Sequence, residues 1–163
     1  MHKVAQNCFG SAFYAGKNST IFIREFNLGD LGRVYEIERK SFEDPYHPVF
    51  LLHLYELYPE TFFVALENGI LAGYVISRVV NSSGHIIAIA VDPKKRRERI
   101  GKALMRATIK RFRDFGVKNV WLEVRISNYD AIEFYKKLGF VEGEIVRAYY
   151  SDLEDAILLK KLI

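Results

Sequence analysis

The sequence predicts a single α+β domain built on a mixed sheet, and three observations lead to that prediction. The chain has 163 residues and is 50% apolar, which is enough for one buried core. Asn68-Gly69 joins two apolar runs, the strongest short signal for a β-hairpin. After that hairpin, apolar runs of strand length alternate with segments of helical period, and the chain closes on two strands.

Two helices and a short strand are predicted before the hairpin. Ile21–Ile23 is the strand, and apolar residues recur at helical spacing over Leu31–Ile37, with Asp30 as a candidate N-cap. Pro48 suits the first turn of a second helix that runs to Tyr58. Because this second segment is apolar on most sides, we expect it to be well buried.

The segment from the hairpin onward completes the fold prediction. Glycines directly follow two of its helical segments, and glycine favours the left-handed turn that ends a helix. The predicted elements are strands over Thr61–Leu66, Ile70–Val80 and His85–Val91, a helix over Ile100–Phe115, a strand over Val120–Val124, a helix over Asn128–Leu138, and strands over Phe140–Tyr149 and Ala156–Leu162. The domain then spans residues 21–163, with residues 1–20 as a weakly ordered arm.

Composition argues against several classes of protein. No apolar run approaches the roughly 18 residues of a membrane span, and the N-terminal stretch lacks the solid apolar run of a signal peptide. The single cysteine, Cys8, cannot form an internal disulfide, which suits a reducing compartment. The four histidines lack metal-ligand spacing. We therefore expect a cytoplasmic protein that needs neither a membrane nor a metal ion.

Basic residues are concentrated in one stretch of the chain. From Asp92 to Lys118 there are eleven Lys and Arg residues against three acids, although the net charge is only +4. This stretch opens between a predicted strand and the start of a helix, where free backbone N–H groups and the helix dipole attract phosphate. Gly101 lets the backbone approach a ligand closely. The alternative is a plain basic surface loop.

Two motifs resemble those of the GNAT superfamily of N-acetyltransferases. The first, Arg96-Arg97-Glu98-Arg99-Ile100-Gly101, is similar to the family's phosphate loop, Arg/Gln-x-x-Gly-x-Gly/Ala. The second, residues 128–140, is similar to its Asn-x-x-Ala-x-x-x-Tyr-x-x-x-Gly-Phe segment almost position for position. The resemblance covers roughly residues 21–163. It implies a GNAT-type, mostly antiparallel sheet of about seven strands flanked by four helices, with acetyl-CoA as co-substrate.

The resemblance also implies a set of coenzyme contacts. Arg99 departs from the pattern, because it occupies the loop's first glycine position. We expect ordinary helix-start backbone there, since left-handed backbone would cost an arginine roughly 1–2 kcal/mol. Asn128 either caps its helix or offers its amide to the coenzyme. The expected contacts are Ile89, Ala90, Val91, Arg96, Arg97, Glu98, Arg99, Ile100, Gly101, Lys102, Asn128 and Tyr135.

Four further segments resemble one subgroup of this superfamily. Residues 121–128 and 147–156 resemble the N-terminal protein acetyltransferases, which include the bacterial ribosomal-protein alanine acetyltransferases and archaeal enzymes. Residues 84–91 and 44–46 are most similar to the archaeal branch. This implies acetyl transfer by direct attack to the α-amino group of protein N-termini, with ribosomal proteins among the candidate partners and no nucleic acid required. A monomer and a homodimer both remain open.

Glu123 and Tyr135 are the candidate catalytic residues. A free α-amine has a pKa of about 8, so a base needs to supply little driving force to deprotonate it near neutral pH. By the resemblance, Glu123 is this base, directly or through a water, although a lone acid on a strand is otherwise a surface residue. Tyr135 shares a helix face with Ala131 and is expected to protonate the departing thiolate. Its alternative is a core aromatic.

Acceptor binding is expected from two loops and one strand. Tyrosines there offer rigid apolar faces and hydroxyls, which suit a peptide backbone. Asp44 attracts the amine or biases the first residue, unless it only bonds its own turn. His85 is either an auxiliary base or a structural residue. The expected acceptor contacts are Asp44, Tyr46, His85, Tyr149 and Tyr150.

Two other functions stay open at this point. One is a GNAT enzyme acting on a small amine or on lysine, whose pKa near 10.4 makes deprotonation about 3 kcal/mol costlier than for an α-amine. The other is a nucleic-acid-binding module that uses the basic residues of 94–113. Such modules stack bases on interleaved aromatic rings, and Phe112 is the aromatic residue in that stretch.

Overall fold

A computed structural model describes residues 11–14, 20–96 and 99–163, with side chains from Thr20 onward. Its helices and strands follow the predicted order. They are β1 (Ser11–Tyr14), β2 (Thr20–Glu25), α1 (Leu31–Ser41), α2 (Pro48–Leu57), β3 (Phe62–Glu67), β4 (Ile70–Val80), β5 (Ser83–Val91), α3 (Ile100–Asp114), β6 (Asn119–Arg125), α4 (Tyr129–Lys137), β7 (Val141–Val146) and β8 (Ala156–Leu162).

The strands form one mixed sheet in the order β1-β2-β3-β4-β5-β6-β8-β7. Strands β5 and β6 run parallel, and the other neighbouring pairs are antiparallel. The predicted α+β fold, its mostly antiparallel sheet and its four helices are therefore confirmed. Strand β1 adds an eighth strand inside the segment predicted to be a weakly ordered arm. Residues 1–10 and 15–19 lie outside the described residues, so the arm itself stays a prediction.

Helices cover both faces of the sheet. On one face, α3 and α4 contribute Leu104, Phe112 and Ile132 to a core with residues of β2 to β6 and β8. On the other face, α1 and α2 pack Ile37 and Leu51 against β3 and β4. Each fully buried side chain of this size contributes roughly 1.5–3 kcal/mol. The two helical layers hold the strands that carry the site.

Helix α2 is less buried than the sequence predicted. Leu51 and Leu54 point into the core, whereas Val49 and Leu57 are 67% and 51% exposed. The helix lies at the outer side of the domain and packs along one stripe, so the remaining apolar positions meet solvent. The expectation that this helix is well buried is wrong.

Two tight turns set the register of the central strands. Asn68 and Gly69 both have positive φ (49° and 82°), the two-residue turn predicted between β3 and β4. Asn81 and Ser82 make a second one, so β5 begins at Ser83, earlier than predicted. Gly84 therefore lies within the strand, where a Cβ atom would come within 2.4 Å of the Phe112 ring. The absence of a side chain at Gly84 lets α3 approach the sheet closely at this point.

Candidate active site

A cavity opens where β5 and β6 separate. The two strands pair only over Ser83–His85 and Asn119–Trp121. Beyond that point, Ile86–Ile89 and Leu122–Arg125 line a shared cavity of about 370 Å³. Because β5 leaves its partner there, the backbone groups on that side of Ile86–Ile89 are available to an extended ligand. This open strand edge is the centre of the candidate site.

Glu123 lies in this cavity with its side chain 16% exposed. Its Oε2 atom is 2.8 Å from Nε2 of His85, and Nε of Arg78 donates to Nδ1 of His85 at 3.2 Å. An arginine only donates, so Nδ1 accepts and the imidazole proton is on Nε2, facing the carboxylate. His85 also stacks on Trp121, with ring centroids 4.8 Å apart. The hydrogen bond from His85, which Arg78 and Trp121 hold in place, therefore fixes the orientation of the Glu123 carboxylate.

The position of His85 bears on its expected role. It is 8% exposed and is not among the residues that line the cavity. The structure places it next to Glu123 but outside the cavity lining, and Arg78 occupies its second nitrogen. In this arrangement His85 has no free nitrogen to take a proton from an amine. It orients the Glu123 carboxylate.

A second carboxylate, that of Glu38, faces the same cavity and was missed by the sequence analysis. Glu38 lies on α1, is 2% exposed, and accepts a hydrogen bond from the backbone N–H of Tyr46 at 2.9 Å. Its Oε2 atom has no hydrogen-bond partner within the described part of the chain. Burial raises the pKa of Glu38 to about 7. The available signal was its position four residues after Val34, on the apolar face of α1.

The raised pKa of Glu38 makes stability depend on pH. Its folded-state pKa, about 7, exceeds the ordinary value of 4.5, so its contribution is present below pH 4.5 and is lost as the pH rises through about 7. Glu38→Gln stays uncharged. The free energy of unfolding of the variant, minus that of the wild type, should therefore be about 2 kcal/mol larger near pH 8 than near pH 5. Urea unfolding at both pH values measures this difference, and the exposed Glu56→Gln should show none.

Helix α4 places Tyr135 and Asn128 on the opposite wall of the cavity. Tyr135 is 6% exposed and packs edge-on against Phe134 and Phe140. Burial raises its pKa far above the ordinary value, so the hydroxyl keeps its proton near neutral pH. The side chain is therefore both a core aromatic and a cavity-lining hydroxyl. Asn128 caps α4, because its Oδ1 accepts the N–H of Ala131 at 3.2 Å.

Two loops close one side of the cavity. Tyr46 and Asp44 come from the α1–α2 connection, and Tyr149 and Tyr150 from the β7–β8 connection; all four line the cavity. The hydroxyl of Ser151 donates to Oδ2 of Asp44 at 3.0 Å, which ties one loop to the other. That bond crosses between loops, unlike the expected turn bond of Asp44 to its own backbone.

Arg125 fixes the second of these loops from β6. Its Nη1 lies 2.7 Å from carboxylate oxygens of both Asp152 and Glu154. Its guanidinium also lies 4.0 Å from the centre of the Tyr150 ring, a cation–π contact. The Tyr150 ring is therefore held in place by contacts within the protein.

The predicted phosphate loop follows β5 and leads into α3. Arg97 and Glu98 lie outside the described residues. Arg99 precedes the first residue of α3 with φ 65° and ψ 5°, which is left-handed backbone. The expectation of ordinary helix-start geometry is wrong: the chain keeps the glycine-type backbone, and arginine bears a cost of roughly 1–2 kcal/mol. Such a cost is typical of functional loops, where a cation near phosphate offsets it.

The start of α3 presents its backbone N–H groups beside two exposed cations, Arg99 and Lys102. Ile100 points into the core and is 1% exposed. A Cβ atom on Gly101 would lie 3.2 Å from the Phe134 ring and 3.8 Å from Val91. Gly101 thus also lets α3 pack closely on α4. Free N–H groups, cations and a bare backbone together suit a pyrophosphate.

The predicted site residues fall into two groups in space. Those of the loop, namely Arg96, Arg99, Ile100, Gly101 and Lys102, lie beyond the end of β5, while Ala90 and Val91 form the last residues of that strand. The other predicted site residues that the structure describes line the cavity, except His85, which lies next to it. The cavity residues are Asp44, Tyr46, Ile89, Glu123, Asn128, Tyr135, Tyr149 and Tyr150.

A larger groove of about 630 Å³ lies at the other end of β6 and β8. Trp121, Leu158 and Leu162 line it, together with two lysines, and none of the predicted site residues does. Volume alone favours this groove, but catalysis of proton transfer needs titratable groups that converge. The smaller cavity has them and is the candidate active site.

Over 11–14, 20–96 and 99–163, no group of three His, Cys, Asp or Glu side chains is arranged to hold a metal ion. Among the helices of the same ranges, none has the length and apolar character needed to cross a membrane.

The fold and this site define an acetyltransferase, and the chain belongs to the acetyltransferase (GNAT) family, whose model matches residues 31–140. It is similar to the N-alpha-acetyltransferase of Sulfurisphaera tokodaii, at 35% identity over 89% of this chain and 95% of that protein. Its structure is similar to Ard1 from Thermoplasma volcanium, with a TM-score of 0.85, 35% identity, and coverage of 88% and 97%. It is also similar to the ribosomal-protein-S18-alanine N-acetyltransferase of Escherichia coli, with a TM-score of 0.78, 34% identity, and coverage of 88% and 94%.

Proposed function

We propose that the protein transfers the acetyl group of acetyl-CoA to the α-amino group of protein N-termini, with Glu123 as general base. The observation that carries the proposal is the convergence of a held carboxylate, an open β5 edge and two tyrosine-bearing loops on one cavity. The names of the relatives from Sulfurisphaera tokodaii and Escherichia coli support the same acceptor class. Ribosomal proteins are among the candidate substrates.

The chemistry needs three groups that the cavity supplies. The neutral amine nitrogen attacks the thioester carbonyl carbon, and its proton passes to Glu123 directly or through a water. Backbone N–H groups on the open side of β5 stabilise the carbonyl oxygen as it gains negative charge. As the carbon–sulfur bond breaks, Tyr135 gives its proton to the thiolate and regains one from solvent, while Glu123 releases the proton that it took.

The electrostatics of the cavity favour a charged amine as the incoming group. Glu38, Asp44 and Glu123 all line it, and carboxylates attract an ammonium group. An α-ammonium, with a pKa of about 8, loses its proton easily near neutrality. Glu38, with its own pKa at about 7, is a second acceptor for that proton beside Glu123. A lysine ε-amine or a small amine is the rival acceptor.

The nucleic-acid alternative loses its main support. Phe112, the aromatic residue within the basic stretch, is 0% exposed and packs in the core. A ring in that position cannot stack on a base. The basic residues around it belong to the start and the outer face of α3, where the proposed phosphate site lies.

Tyr149→Ala tests the acceptor side of the proposal. Tyr149 is 46% exposed in the cavity and offers a ring face to a peptide backbone. Its loss should raise the KM for a peptide acceptor about fivefold or more, because truncated aromatic anchors cost upward of about 1 kcal/mol. Coenzyme A affinity should stay unchanged. Steady-state kinetics and calorimetry measure the two values, and Tyr129→Ala, which removes an exposed ring outside the cavity, is the matched control.

An equal loss of coenzyme and peptide affinity in Tyr149→Ala would contradict the assignment. It would show that the residue supports the whole site and does not bind the acceptor.

A further inference from the structure

Arg33 joins α1 to the strand that leads into the proposed phosphate loop. Its Nη2 atom bonds Oδ2 of Asp92, its Nε donates to the carbonyl oxygen of Leu71 at 3.1 Å, and its Nη1 donates to Glu36 at 2.7 Å. Asp92 is 59 residues away in sequence and 5% exposed. One guanidinium thus ties together α1, the start of β4 and the end of β5.

Asp92 organises the first turn of the loop. Its Oδ1 atom accepts the N–H of Lys94 at 3.0 Å, and its carbonyl accepts the N–H of Lys95 at 2.7 Å, which closes a short 3-10 turn over Pro93–Lys95. Its own N–H donates to Ala72 at 2.8 Å. The hydrogen bond from Lys94 and the Arg33 guanidinium hold the pKa of Asp92 below its ordinary value. The loop therefore starts from an ionised, buried carboxylate.

The loop carries charges that repel one another. Lys94, Lys95, Arg96 and Arg99 lie within six positions of the chain, with like charges close together. Two buried carboxylates hold it down from the core: Asp92, and Glu67, which lies 2.7 Å from Nζ of Lys95. A loop held by its anchors binds a ligand without the entropy cost of ordering itself first.

We propose that Arg33 is a positioning residue for the coenzyme, acting through Asp92 to hold the phosphate loop in its binding shape. The inference rests on the proposed coenzyme site at Arg96 and residues 99–102. Arg33 itself does not line the cavity that holds Glu123. Its contribution therefore belongs to coenzyme binding and not to the chemical step.

The first experiment separates binding from chemistry. Arg33→Ala should raise the KM for acetyl-CoA and the Kd for coenzyme A about 5- to 20-fold, because the loop must then order on binding. The kcat at saturating acetyl-CoA and the KM for peptide should change less than about twofold. Arg33→Lys, which keeps one bond to Asp92 but cannot reach all three partners, should be intermediate.

Arg24→Ala is the matched control. Arg24 pairs with the buried Asp30 at 2.6 and 2.8 Å, close to the start of the same helix, and its remaining hydrogen bond goes to the carbonyl oxygen of Glu25. It should lower the melting temperature as much as Arg33→Ala does, without changing the KM for acetyl-CoA. A rise in KM in both variants would show a general stability effect and overturn the proposal.

A double-mutant cycle tests whether Arg33 acts through Asp92. Asp92→Asn keeps an acceptor for Lys94 but removes the charge that Arg33 meets. The Kd of the double variant should be close to that of the weaker-binding single variant, since both changes break one connection. If the fold-increases in Kd of the two single variants instead multiplied in the double variant, the proposal would be overturned. The proposal would also be overturned if Arg33→Ala left the Kd for coenzyme A unchanged while Lys102→Ala raised it. That result would still support the proposed coenzyme site. A wild-type protein that binds no coenzyme A overturns the proposed function as well.

Discussion

Glu123→Gln is expected to lower the acetylation rate near pH 7 by roughly 10²–10⁴-fold, the range for loss of a general base. The amide is nearly isosteric, and its oxygen still accepts from Nε2 of His85, so the cavity keeps its shape. Affinity for acetyl-CoA should not change. Raising the pH should recover part of the rate, because more of the amine is already neutral.

Steady-state kinetics from about pH 6 to about pH 10 measure this effect. Glu142→Gln on β7, an exposed acid of the same sheet, is the control and should behave as the wild type. Near-wild-type turnover of Glu123→Gln at neutral pH would contradict the assignment. If Glu38→Gln lost the rate instead, the base would be the buried carboxylate on α1.

Gly101→Asp is expected to abolish detectable binding of coenzyme A. The new carboxylate would meet the pyrophosphate with like charge at the start of α3, where the proposed site depends on positive potential. Its Cβ would also lie 3.2 Å from the Phe134 ring, so that ring would have to shift by a few tenths of an ångström. Charge and crowding act in the same direction.

Gly101→Ala separates the two causes, because it adds the Cβ without the charge. We expect it to weaken binding measurably while leaving it detectable, since the Phe134 ring must give way by only a few tenths of an ångström. Calorimetry with coenzyme A measures both variants, and their melting temperatures show whether the fold survives. Unchanged affinity in Gly101→Asp would move the phosphate site elsewhere.

The fold was predictable because its elements are signalled locally. The Asn68-Gly69 turn, Pro48 at the start of α2 and the glycines after α3 and α4 each impose their backbone on the nearest residues, and all four appear as predicted. The length of β5 was not predictable in this way. Ser83 and Gly84 are residue types common in turns, yet both pair with β4 and with the distant strand β6.

The site was predictable only in part. Motif positions indicated Glu123, Tyr135 and the loop, but the bonds that organise them span 38 residues (His85–Glu123) and 107 residues (Ser151–Asp44). Such pairs have no local signature. Glu38 did have a local signature, because it is an acid on the apolar face of α1. Only the fold shows that its side chain lines the cavity. The left-handed Arg99 shows that a motif's backbone can persist after its glycine is replaced.

The class of amine that accepts the acetyl group can be measured with a pair of peptides. The two peptides differ at one internal position and at the N-terminus, and each is incubated with enzyme and acetyl-CoA: one has a free α-amine and no lysine, and the other has a blocked α-amine and a single lysine. Mass spectrometry then locates the acetyl group over time. We expect rapid acetylation of the free α-amine and little acetylation of the lysine. Equal or faster acetylation of the blocked peptide would show a lysine acetyltransferase and overturn the proposed acceptor class.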